Sequence, residues 1–183
     1  MFGLFKKTPR VTVEEQLRQL AECGVVPSPG ADLFELHSRE QMEKKPYGPL
    51  IEALSMDCCT ALWMCDYERI EDHGDYRDVL LRLESMHAGL GLAEISDFVD
   101  VNAGQARVEF RWRGEARKLV LKVDNDWLDP QLLRSYAEML EGTGRKLYSN
   151  ERDYGQSALL AIFDEKQMAC FQALSPVKLK PMA

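Results

Sequence analysis

Apolar and polar positions change rhythm several times along the chain, and each rhythm predicts an element. Val13, Leu17, Leu20 and Ala21 recur at helical spacing behind Thr12-Val13-Glu14-Glu15, which reads as a capping box, and Gly24 is placed to end that helix. Two prolines and a glycine make residues 25–31 a loop. A second capping box, Ser38-Arg39-Glu40-Gln41, opens a helix that Pro46-Tyr47-Gly48-Pro49 must break before Leu50, Ile51 and Leu54 resume helical spacing. Residues 60–70 alternate and gain aromatic residues, which predicts a strand. Glu71 to Asp75 reads as a turn. Asp75 is placed to cap a helix carrying Tyr76, Val79, Leu80, Leu83 and Met86, and Gly89 and Gly91 stop it.

The second half is more regular. Residues 92–101 read as a strand ending in Asn102-Ala103-Gly104. From 105 to 113, Val108, Phe110 and Trp112 face one way, and Arg107, Glu109, Arg111 and Arg113 the other. Arg113-Gly114-Glu115 is a tight connection into residues 116–123, so the pair predicts a β-hairpin. Asp129-Pro130 starts a helix carrying Leu132, Leu133, Tyr136, Met139 and Leu140 and ending at Gly142. Strands at 145–149 and 157–163 flank a Tyr154-Gly155 turn; the second is apolar on both faces, as a central strand is. Asp164 caps a last helix, and the tail from Ser175 to Ala183 reads as loose.

This order predicts an α+β fold, a mainly antiparallel sheet built from hairpins and covered by helices on one face. The length of 183 residues favours one domain: an N-terminal helical segment over 11–56, an α+β core over 57–175, and the tail from 176 to 183. With 45% apolar residues the chain is too hydrophobic for disorder, and no run approaches the length of a membrane span. In Met1-Phe2-Gly3-Leu4-Phe5-Lys6-Lys7 the lysines follow the apolar residues, the wrong order for a secretory signal. Cys23, Cys58, Cys59, Cys65 and Cys170 are odd in number and mostly sit among apolar neighbours, so reduced thiols and a cytoplasmic location are expected.

Charge directs attention to two surfaces. The net charge of −7 makes nucleic acid an unlikely partner. Asp72, Asp75 and Asp78 lie in an acidic turn beside His73, a surface that would suit a basic partner such as a nuclease. The favoured reading is an acidic helix start; the alternative is a metal site of Asp72, His73 and Asp75 serving hydrolysis. On the hairpin, Arg107, Arg111, Arg113, Lys118 and Lys122 set five cations against Glu109, which would suit an acidic protein or, as a further alternative, a polyanion. Asp124-Asn125-Asp126-Trp127-Leu128-Asp129 begins like a calcium loop, but its sixth position is Asp129 rather than Gly and its twelfth is Ser135. Trp127 either folds back on the core or awaits a partner.

No C-x-x-C pair, P-loop, G-x-G-x-x-G or G-x-S-x-G occurs, so no cofactor is implied and no catalytic residue is assigned. The expected function is that of a bacterial-style accessory protein that binds another protein. Immunity- and inhibitor-type proteins are one such class.

Overall fold

The computed structural model describes residues 10–150 and 155–182, so the apolar start at Met1 and Tyr154 of the expected turn lie outside it. Three short helices come first: α1 (Val13–Glu22), α2 (Arg39–Lys44) and α3 (Gly48–Ala53). Thr12 caps α1 by accepting from the Glu15 N–H at 3.3 Å, but the Glu15 carboxylate turns to Arg18 and Gln19, so only half of that box forms. Ser38 and Gln41 close both halves of the second box. The helix breaks at Pro46 as expected, with Tyr47 at φ 69° leading into α3. After α3 the chain widens through an irregular turn, Leu54–Cys58, into strand β1 (Leu62–Asp66).

β1 is shorter than the alternation at 60–70 implied. Beyond Asp66 the backbone bonds to loops instead of a ladder: the Tyr67 N–H donates to the Gln156 carbonyl, and those of Arg69 and Ile70 both donate to the Asp126 carbonyl. Helix α4 (Asp75–Ser85) follows, and its cap corrects the sequence reading. The Asp75 carboxylate faces backwards, accepting from Glu71 and Asp72 N–H at 2.8 Å each. The free N–H groups of Gly74, Tyr76 and Arg77 are taken by Asp97, 20 to 23 residues away. A distant carboxylate satisfies donors that a local cap would serve. Asp97→Ala should therefore cost about 2 kcal/mol and Asp97→Asn clearly less, read by denaturant unfolding.

Strands β2 (Ala93–Asp100), β3 (Gln105–Trp112) and β4 (Glu115–Leu121) form one antiparallel sheet. Helix α5 (Pro130–Met139), β5 (Arg145–Ser149), β6 (Ser157–Asp164), α6 (Glu165–Leu174) and β7 (Lys180–Pro181) complete the chain. The second sheet is also antiparallel, in the order β1-β6-β5-β7. The α+β class with antiparallel pairing is as expected; the strands divide between two sheets. β6 is central, and its alternate residues explain why it is apolar on both faces. Ala158, Leu160 and Ile162 join a core with α4, α5 and the inner face of the β2-β3-β4 sheet. Leu159, Ala161 and Phe163 join another with α1, α3 and α6. The N-terminal helices thus pack on this sheet, and both its faces are covered.

Two further expectations change. The tail is tied down: β7 pairs with β5, and the Met182 N–H donates to the Leu147 carbonyl. Cys23, at the end of α1, is bonded to Cys170 of α6, with Cα atoms 5.3 Å apart, inside the range a disulfide spans. Among the described residues, Cys58, Cys59 and Cys65 remain free thiols, and no helix is long and apolar enough to cross a membrane.

Candidate functional site

The two surfaces singled out by charge meet in the fold. His73, at the acidic turn, packs edge-on against Phe98 of β2 with ring centroids 4.9 Å apart, and the Arg107 guanidinium lies over the same ring at 4.3 Å. Residues of alternate parity bring Phe98, Arg107 and Val120 into one row across the sheet, and Ser96, Glu109 and Lys118 into the next. Arg111 and Ala116 continue the same face. This is the face turned away from Val108, Phe110 and Leu121, which are buried. Ser96, Glu109, Arg111, Ala116 and Lys118 are exposed on it and Val120 keeps 69% of its surface in water, while Phe98 and Arg107 are half-buried.

The cations are less free than the sequence implied. Arg107 and Lys118 share Glu109, at 3.4 and 3.1 Å, and the Lys118 hydrogen bond holds the Glu109 carboxyl below the usual carboxylate range. Arg111 donates to the Gly114 carbonyl at 2.6 Å, and Lys122 pairs with Asp124 at 3.4 Å. Arg113 is not on the outer face: it sits in the two-residue turn at φ 52° and stacks over Trp112. Arg117, which the sequence reading passed over, pairs with Glu115 at 2.7 Å. The face therefore pairs local charges around an apolar strip of Phe98 and Val120, with Lys118 and Arg111 at its exposed side.

The acidic turn has committed its side chains. Asp75 serves backbone donors, as described above. Asp72 accepts from both the N–H and the ring Nδ1 of His73, which lowers its carboxyl pKa, and Asp78 pairs with Arg77 at 3.1 Å. Among the described residues no three His, Cys, Asp or Glu side chains gather to hold a metal ion. The free thiols are also poor nucleophiles, because burial pushes all three up, Cys65 to about 12. Trp127 takes an intermediate position. Its loop is stitched to residues 67–70, yet the indole stays 39% exposed beside a cavity of about 360 Å³ floored by Tyr67, Leu128 and Pro130.

Sequence reasoning missed a His-Tyr-Glu chain between α4 and α5. The Gly89 N–H donates to Nδ1 of His87, so the ring proton sits on Nε2 and goes to the Tyr136 hydroxyl at 2.8 Å. Tyr136 donates in turn to Glu84 at 2.6 Å, and Glu84 also accepts from the N–H groups of Leu90, Gly91 and Leu92. The resemblance to a catalytic relay is superficial. Both ring nitrogens are hydrogen-bonded within the fold, and burial raises the Tyr136 phenol well above the ordinary tyrosine value. The chain pins the α4–β2 connection to α5. The spacing of Glu84 and His87 at i and i+3 was the available signal.

Burial, reinforced by Arg145 and opposed by Glu84, holds His87 below the usual histidine range. The unfolded chain therefore binds more protons than the folded one near and below pH ~6.5. His87 stabilises the fold above that pH, and its contribution falls as the pH drops toward the folded pKa. His87→Gln should accordingly flatten the loss of melting temperature between about pH 7 and pH 5.

A cavity of about 700 Å³ lies between α5, β5, α6 and β7. Arg134, Arg145 and Lys166 face Glu138, Glu141 and Glu165 around it, and no His, Cys or Ser lines it. The fold and its exposed surfaces thus define an α+β protein with a three-stranded sheet that is covered on one face and open on the other. Comparison with known proteins gives no match: no family model, curated protein or solved structure aligns with the chain.

Proposed function

We propose that this chain is a non-catalytic binding protein that presents the outer face of the β2-β3-β4 sheet to an acidic partner protein. The observation behind this reading is the open row of Phe98, Arg107 and Val120 flanked by Lys118 and Arg111. A half-buried aromatic ring carrying a guanidinium, in one row with an uncovered valine, combines apolar area with directed positive charge. Interfaces draw affinity from the first and orientation from the second. The immunity- or inhibitor-type role belongs with this reading as one form of it, since such proteins act by occupying a partner's surface. The Cys23–Cys170 bond points away from the cytoplasmic location expected from free thiols and toward an oxidising compartment, because reducing compartments keep thiols free.

The test places a photo-crosslinking residue at Val120 and, as a control, at exposed Glu22 on α1. Capture of one acidic protein from Val120 only, abolished by Arg111→Glu with Lys118→Glu, is the expected result. Capture of the same proteins from both positions would refute the reading. Crosslinking to nucleic acid from Val120 would replace the protein partner with a polyanion.

A further inference from the structure

The sheet that carries this face also has one open edge. We infer that the free edge of β4 accepts an extended acidic segment of the partner as an added strand, so this inference rests on the binding reading above. Arg113 and Gly114 both have positive φ, 52° and 81°, which makes the β3–β4 connection a two-residue turn of the hairpin type. Trp112 and Glu115 close that turn as a hydrogen-bonded pair, and the register then alternates down the hairpin. It follows that Ala116, Lys118 and Val120 direct their backbone N–H and C=O groups away from β3. Among the described residues these groups bond to no other element, whereas the next outward N–H, of Lys122, is taken by Asp129 at 2.6 Å.

The opposite edge is closed to such pairing. β2 shifts register between Ala93 and Ser96, Glu94 sits at φ 51°, and Asp97 is occupied with α4. Bulges and coverings of this kind blunt an edge, and β4 has neither.

Beside the open edge lies a slot of about 290 Å³ between the sheet and α5, lined by Phe110, Trp112, Leu119 and Met139 and also by the charged Arg117 and Glu138. Side chains of an added strand alternate between the two faces. Those turned inward would enter the slot, and those turned outward would stand beside Lys118 and Val120. The fitting segment therefore alternates apolar with acidic residues. A second copy of β4 is disfavoured in the register that covers the most of this edge. Antiparallel pairing centred on Lys118 would set Lys118 against Lys118, and like charges directly opposite destabilise a sheet.

The probe is a short fluorescent peptide of alternating Val and Glu, titrated onto the full chain by anisotropy, with amide exchange followed at Ala116, Lys118 and Val120. Saturable binding with slowed exchange at those three amides is expected. Proline is tolerated at sheet edges, so Val120→Pro should fold yet bind more than about tenfold more weakly, whereas Val120→Thr binds normally. If Val120→Pro does not fold, the amide protection in the unaltered chain decides alone. Binding that is lost in Arg111→Glu with Lys118→Glu but unchanged in Val120→Pro, without amide protection, overturns the edge inference and leaves the face reading standing. A peptide that does not bind also overturns the edge inference. If no partner crosslinks from Val120 either, both readings fall.

Discussion

Replacing Cys23 and Cys170 together by alanine, or reducing the bond between them, should remove about 5 kcal/mol of stability and lower the melting temperature by roughly 10–20 °C. The two cysteines are 147 residues apart, so the bond closes most of the chain into one loop. In the chain-entropy account the cost of closing a loop grows with its logarithm, which places this bridge at the upper end of the range for disulfides. The bond also joins α1 to α6 on the same side of the β1-β6-β5-β7 sheet, where Cys23 is fully buried. Alanine is the better replacement because serine would bury a hydroxyl. Since a domain's total stability is only about 5–15 kcal/mol, the reduced protein should lie near the threshold of folding at physiological temperature. An unchanged melting temperature in reductant would mean that the bridge does not hold the helical layer in place.

Glu84→Ala carries the second large effect, about 3–4 kcal/mol. One carboxylate accepts from the Tyr136 hydroxyl and from three successive backbone N–H groups at residues 90–92. Truncation strands the Tyr136, Leu90 and Leu92 donors in partly buried surroundings, and unmet donors cost more than the bonds gain. Glu84→Gln keeps one acceptor oxygen and should lose roughly half as much. Tyr136→Phe, which removes only the hydroxyl, should cost about 1–1.5 kcal/mol. Because Glu84 and Tyr136 bond each other, the double variant Glu84→Ala with Tyr136→Phe should lose less than the sum of the two. Urea unfolding of the four variants measures this directly; strict additivity would show that the pair is not coupled.

What the sequence made legible was local. The hairpin was plain because residues 106–112 alternate strictly and run into a two-residue turn with glycine, so period and turn chemistry agree. Thr12, Ser38, Asp129 and Asp164 were readable as caps because each bonds N–H groups two or three residues ahead. Asp75 had the same appearance but turned to the preceding loop, while Asp97 arrived from another element to serve α4. β6 betrayed its central place by being apolar on both faces. Nothing along the chain encodes which strands share a sheet, so the division into two was hidden. The Cys23–Cys170 bond and the Glu84-Tyr136-His87 chain were hidden for the same reason, since each joins residues that only the fold brings together.

The candidate surface was half legible. Alternation put Arg107, Arg111 and Lys118 on one face, but composition alone overstated their freedom. Glu109 bridges two of them, and Arg113 leaves the face because the turn needs it at positive φ. The contact of His73 with Phe98, which joins the acidic turn to the cationic face, was not readable from either segment.

The most direct measurement is hydrogen exchange over the whole chain, with and without the acidic protein crosslinked from Val120. Protection concentrated in residues 93–121, with residues 141–147 and 164–182 unchanged, is the expected pattern. Protection gathered instead around the cavity between α5, β5 and α6, with the three-stranded sheet still exchanging freely, would contradict the account.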